Sequence, residues 1–409
     1  MDASAPADHP VRRNFVLHII GGGAFIAAMQ FGSTRVVLPW ISQHLAVPYI
    51  LVALLLPIYQ FGQVSSQFLA APRVALVALR KHVVFRAGLV FAGLLAVIFV
   101  IATELAPLMA GISMLAAAAV LGFGMAIFGV SRSDLLAKTI ASRVRGLTMA
   151  RQASLAGLII LTVSFVIWAA DPRLAADHLM LLWLAVGAWL AVAASYSMVR
   201  EAPSKPASRR TPIAELKRGF GLIGEYPWFK RLLMLRVLLQ SVELAIPFYA
   251  IHAASLHAPT ARNLSFFVVA MSLGLILSGP IWGRLMDRHT GLVVVLGSLI
   301  TALVGVVVLV SDAIGDPTLP FYYAVLFLPL ALAREGVTQA RSRQLSVRAP
   351  AKDRPALVAF SSGAMALTGI LVALVIGLAG HLHDITTPLY ILVALNLAAA
   401  LCVRRAFAD

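Results

Sequence analysis

The 409-residue chain is 60% hydrophobic and only 12% charged, about half the charged share of a water-soluble domain. Its apolar runs are continuous, which excludes the alternating strands of a β-barrel. The single cysteine, Cys402, excludes an intramolecular disulfide and a cysteine-based metal cluster. The formal net charge of +16 fits loops held on one membrane face against anionic headgroups better than it fits nucleic acid.

Twelve apolar segments follow, each near the roughly 20 residues that cross a bilayer's hydrocarbon core. Spans 1 to 6 are expected at Asn14–Ser42, Val47–Ala71, Val83–Ala102, Leu105–Val130, Ala153–Ala170 and Leu179–Val199. Spans 7 to 12 are expected at Leu232–Ala253, Leu264–Met286, Gly291–Ser311, Leu319–Thr338, Ala356–Gly380 and Pro388–Val403. Span 1 follows Arg12 and Arg13 as a signal peptide would, but it is too long and lacks a small-residue cleavage site. It reads as a mature helix. With the amino terminus inside, 30 of the 33 Lys+Arg fall in or beside connections on one face. Only Arg173 and Arg262 occupy the other face, and Arg35 lies within span 1. Basic loops stay cytoplasmic during insertion. The expectation is an all-α polytopic protein of a cell's inner membrane, with 12 transmembrane helices and both termini cytoplasmic.

The longest polar stretch divides the spans six and six. It predicts an N-terminal six-helix bundle over 1–199, a cytoplasmic linker over 200–230 and a C-terminal bundle over 231–409. Pro203, Ser204, Pro206 and Ser208 mark the linker's flexible start. Thr211 and Pro212 then read as the N-cap and first residue of a short amphipathic helix at the membrane surface. A weak repeat supports the two halves. Span 4 ends Gly129-Val130-Ser131-Arg132-Ser133-Asp134, and span 10 ends Gly336-Val337-Thr338-Gln339-Ala340-Arg341. Asp134 and Arg341 occupy the same place with opposite charge.

Gly283-Arg284-Leu285-Met286-Asp287-Arg288, between spans 8 and 9, resembles a signature of the major facilitator superfamily: Gly, three residues, Asp, Arg. The residues that follow, His289-Thr290-Gly291, depart from it. The first copy is absent, since span 2 is followed by Ala71-Pro72-Arg73-Val74-Ala75. The resemblance implies two bundles rocking about a central cavity lined by spans 1, 4, 7 and 10. It also suggests gating charges at the helix ends, because an ion pair there can hold one state and release the other. Asp287, beside Arg288, is expected to pair with Arg341, and Asp134 with Arg73 or Arg80; the alternative is solvated loop charges without partners.

Ionisable groups in hydrocarbon cost several kcal/mol and so mark candidate sites. Glu243 sits near the middle of span 7, with Gln240 and Pro247 on the same side. Burial there suits a carboxylate to reversible protonation and proton coupling; a permanent salt bridge to Arg236 or Arg334 is the competing reading. Arg334 in span 10 is followed by Glu335, and the two point about 100° apart on a helix. Arg35 and Gln30 place donors on span 1. Two cavity arginines favour an organic anion, which guanidinium binds bidentately, unless Arg35 snorkels to headgroups. In span 2, Gln60, Gln63 and Gln67 form a polar stripe that borders a translocation path or, in the favoured reading, joins helices by hydrogen bonds. Trp40, Trp168, Trp228 and Trp282 fall near span ends, as an interfacial belt requires.

His381, His383 and Asp384 form the only metal-like grouping and are weakly specific. There is no Walker loop and no nucleophile–histidine constellation, so neither an enzyme nor a cofactor is expected. The leading expectation is a secondary active transporter of a small-molecule substrate, with an organic anion the favoured class, protons as coupling ion, the lipid bilayer as its setting and no nucleic acid partner. A drug or metabolite exporter of the same fold is the first alternative. The family's Gly-Pro motif for drug–proton exchange is missing, however, because span 5 reads Leu155-Ala156-Gly157-Leu158. A non-transporting sensor or assembly protein is the second, and it would leave Glu243 without access to a cavity.

Overall fold

A computed structural model describes residues 9–69, 77–170, 177, 179–203, 212–314, 320–350 and 352–407. Lipid offers no partner to a backbone N–H or C=O, so a crossing segment must satisfy them itself. The apolar runs accordingly form helices. Among the described residues ten are long and apolar enough to cross a membrane, and Thr387–Val403 is a shorter apolar helix. The remaining span, Pro320–Arg348, carries the ionic residues of the site. The helices form two six-helix bundles. Many large apolar side chains point outward, among them Phe165, Leu371 and Leu401, as lipid solvation allows.

Small residues set the closest crossings. Spans 2 (Tyr49–Leu69) and 4 (Pro107–Thr139) pack along their length. A Cβ at Gly122 would lie 1.9 Å from the Tyr59 carbonyl oxygen, and one at Gly62 would lie 2.3 Å from that of Ala119. Neither position admits a side chain without moving backbone. Spans 8 (Ala261–Arg288) and 10 pack similarly in the other bundle. The bundles meet through spans 2 and 11 (Arg354–Leu382) and through spans 5 (Ser142–Ala169) and 8.

Two spans are broken. Span 1 runs His9–Phe31, unwinds over 32–36 and resumes as Val37–His44. Span 7 runs Pro227–Leu238, turns at Leu239 and resumes as Gln240–Leu256. The second segments of the two spans pack together at the end opposite the basic loops. There Trp40 stacks on His257 at 6.4 Å and packs against Phe267, with Tyr323 and Phe327 beyond. Trp40 and Trp282 therefore depart from the expected interfacial belt. Trp40 is fully buried because the break turns its segment inward, and Trp282 is buried with its indole N–H donating to the Leu332 carbonyl at 2.8 Å.

The helix Pro212–Glu225 begins at the expected proline but docks on protein. Gly219 lies against the Ala356 carbonyl of span 11, and Phe220 meets Phe360 edge-on. Arg218 pairs with Asp353, which also accepts a hydrogen bond from the Tyr226 hydroxyl at 2.9 Å. Thr211 lies outside the described residues.

Candidate functional site

The turn at Leu239 places Glu243 in the first helical turn of the second segment of span 7, where a helix N-terminus favours a negative charge. Its side chain is only 6% exposed. Arg334 Nε donates to Glu243 Oε2 at 3.0 Å, while Arg341 Nη2 and the Thr338 hydroxyl donate to Oε1 at 3.0 and 2.9 Å. Arg35 Nη2 stands 3.8 Å from Oε2. The three donors from span 10 lie at i, i+4 and i+7, one helical face. Arg35 arrives from the unwound stretch of span 1, where its backbone N–H is held by the Ser33 hydroxyl at 3.2 Å.

Arg334 also donates to Glu335, although adjacent residues diverge on a helix, because the arginine side chain is long enough to fold back. Arg236 lines the same space as Glu243 and Arg341 and donates to Ser361. Four guanidinium groups thus face two carboxylates. The Nε–H groups of Arg35, Arg236 and Arg341 are buried without an acceptor among the described residues.

Three spaces adjoin this cluster. One, of about 250 Å³, is lined by Gln60, Gln63, Gln240, Glu243, Arg236 and Arg341. A second, of about 130 Å³, is bounded by Gln30, Ser33, Arg35, Arg334 and Glu335. The third, of about 420 Å³, lies between spans 5 and 8 and shares Glu335 and Leu275 with the second. The sequence candidates Glu243, Arg334, Arg35, Gln30, Gln240, Gln60 and Gln63 therefore gather around one centre. The favoured reading of the glutamine stripe as an interhelical bonding row is corrected for its described members. Gln63 donates within its own span to the Tyr59 hydroxyl at 3.1 Å, and both Gln60 and Gln63 line the cavity. Gln240 does bond across helices, to the Met365 carbonyl at 2.6 Å. The side chain of Gln67 lies outside the described residues. Snorkelling of Arg35 to headgroups is overturned by its place beside Glu243.

The charges at the helix ends are arranged differently from expectation. Asp287 pairs with Arg343, not Arg341. Span 10 continues as helix to Arg348, which turns Arg341 inward to Glu243 and leaves Arg343 at the surface. Asp134 pairs with Arg80 at 2.8 Å and also with Lys138; Arg73, its other expected partner, lies outside the described residues. Arg288 forms part of an open groove beside Asp287. Among the described residues no three His, Cys, Asp or Glu side chains are grouped to hold a metal, and Asp384 accepts a hydrogen bond from Thr386 at 3.0 Å.

Sequence reasoning missed Glu335 and Thr338, and it placed Arg341 in a loop. The second bundle's cluster has a partly apolar counterpart in the first. Arg132 lies over the Phe25 ring at 4.7 Å and meets Gln152 at 3.4 Å, while buried His18 contacts the Thr139 hydroxyl at 2.7 Å.

Comparison with known proteins agrees with this architecture. The family model described as Major Facilitator Superfamily matches residues 237–409. A solved D-xylose-proton symporter is 14% identical with a TM-score of 0.64, covering 96% of this chain and 97% of its own. The nucleoside transporter NupG is 11% identical with a TM-score of 0.61, covering 98% and 100%. These likenesses are of fold. The uncharacterized protein Rv2209 of Mycobacterium tuberculosis (strain ATCC 25618 / H37Rv) is 25% identical over 399 residues, 94% of this chain and 75% of the relative.

Proposed function

We propose that this chain, a multi-pass membrane protein with the major facilitator superfamily fold, is a secondary active transporter of a small organic anion. It works by alternating access across the inner membrane, with both termini cytoplasmic. The observation that supports this reading most is the surplus of buried guanidinium around Glu243. Arg35, Arg236, Arg334 and Arg341 outnumber Glu243 and Glu335, and three Nε–H donors lack an acceptor among the described residues. Buried charge is costly unless paired, so such a site attracts and holds an anion, and guanidinium binds carboxylates bidentately. A sensor that does not transport fits less well, because Glu243 lines a cavity.

Proton coupling belongs to the same reading, with one reassignment. Glu243 is engaged by three cations and a hydroxyl, whereas among the described residues Glu335 forms an ion pair with Arg334 only. A substrate carboxylate docking on Arg334 competes with Glu335 rather than Glu243. The released Glu335 is the carboxylate assigned to carry the coupling proton. One proton then accompanies each monoanion, and the cluster carries the same net charge empty and loaded, so both forms can reorient. The gating charges Asp134–Arg80 and Asp287–Arg343 tie helix ends in this conformation.

The test is carboxylate uptake into proteoliposomes under an imposed pH gradient. Glu335→Gln is expected to keep solute exchange and lose acceleration by the gradient, while Glu243→Gln loses both. Gradient-driven flux that survives unchanged in Glu335→Gln removes the coupling assignment.

A further inference from the structure

The site has two unlike walls. On the side of spans 2 and 11 the cavity is mixed, with Gln60, Gln63 and Ser362 beside Val64, Met365 and Ala366. On the side of spans 5 and 8 it is mostly apolar, with Ser272, Ser278 and Gln339 at intervals in the lining. Ala153, Ala156, Gly157 and Ile160 repeat at i, i+3, i+4 and i+7, one face of span 5, and they look across at Leu275 and Ile276 of span 8. The space between measures about 420 Å³, within the range of small-molecule sites. At Gly157 an added Cβ would come 3.1 Å from Ile276 Cδ1 across the crevice. Its inner end is bordered by Glu335, which pairs with Arg334 and also bounds the space that holds Arg35.

A small hydrophilic anion has no use for such a wall. We propose that the substrate is an amphiphilic organic anion, with its acid group on Arg334 and Arg35 and its apolar chain in the crevice between spans 5 and 8. This rests on the anion reading above and narrows it. Arg132 also borders the crevice; its guanidinium meets Phe25 and Gln152, and its buried Nε–H has no acceptor among the described residues.

The test is thermal-shift binding of straight-chain carboxylates, from acetate to octanoate, to the full chain in nanodiscs. Alkylammonium ions of equal length serve as controls. Affinity is expected to rise about fourfold per added methylene, the transfer of one CH₂ from water, with no comparable series for the ammonium ions. Gly157→Leu is expected to bring the octanoate-to-acetate ratio down to about one. A flat carboxylate series, an equal rise for the ammonium ions, or a slope retained in Gly157→Leu each overturns the proposal. Carboxylates that all bind with a flat series sink the amphiphile and leave the anion reading standing. Carboxylates that do not bind at all sink both.

Discussion

Arg341 Nη2 stands 3.0 Å from Glu243 Oε1, tying the basic end of span 10 to the interior of span 7. A carboxylate shared by three arginines holds helices together as well as lining the cavity. Removing one partner of a buried pair costs about 3–5 kcal/mol, because the others are left without a counter-charge. Glu243→Gln is therefore expected to lower stability by about that amount, read by thermal or denaturant unfolding of the purified protein. Glu335→Gln, which deprives only Arg334, is expected to cost less. Equal losses would contradict the shared role of Glu243.

The surface pair behaves differently. Asp287 is 74% exposed in its contact with Arg343, and such pairs contribute at most about 1 kcal/mol. Asp287→Asn is expected to leave the melting temperature almost unchanged. Exchanging charges between Asp287 and Arg343 is expected to restore transport better than either single reversal, whereas exchange between Asp287 and Arg341 is expected to fail. Rescue by the Arg341 exchange would mean that the helix ends meet differently during transport.

Closure at the end opposite the basic loops rests on Trp40 against His257 and Phe267. With Cys402 replaced by Ser, a cysteine at Val64, which lines the cavity, is expected to react with an impermeant thiol reagent from the basic-loop side only. Adding Trp40→Ala is expected to raise labelling from the opposite side several-fold. Equal labelling from both sides in the parent would contradict the closed end.

Gly122→Val tests the packing that positions span 4. A Cβ there would lie 1.9 Å from the Tyr59 carbonyl oxygen, and overpacking of this kind costs about 1–3 kcal/mol or more. A drop in melting temperature is expected, while Gly187→Val, where a Cβ meets nothing within 4 Å, is expected to be tolerated.

The twelve-span architecture was legible because insertion responds to the same loop charges and apolar lengths that can be counted in the sequence. Glu243 was legible because a carboxylate in mid-span stands out. Its three-arginine environment was hidden by a boundary: ending span 10 at Thr338 put Arg341 in a loop, although Arg334, Thr338 and Arg341 already show helical spacing. The turn at Leu239 has no glycine or proline to announce it. Gly32 marks the break in span 1, yet a glycine within an apolar run reads equally well as a packing contact. Trp40 at a span end matches an interfacial tryptophan, and only the break above it sends the ring inward. Position along a span specifies depth; facing is set by neighbours that sequence spacing alone does not supply.

Surplus buried arginine around Glu243 is expected to select an anion. Saturable uptake into proteoliposomes, compared for carboxylates and for neutral and cationic analogues of the same size, tests it most directly, with wild type and Arg341→Gln side by side. Uptake confined to the carboxylates and strongly reduced in Arg341→Gln is the predicted result. Neutral or cationic solutes carried as well as the carboxylates, or carboxylate uptake unaffected by Arg341→Gln, would contradict it.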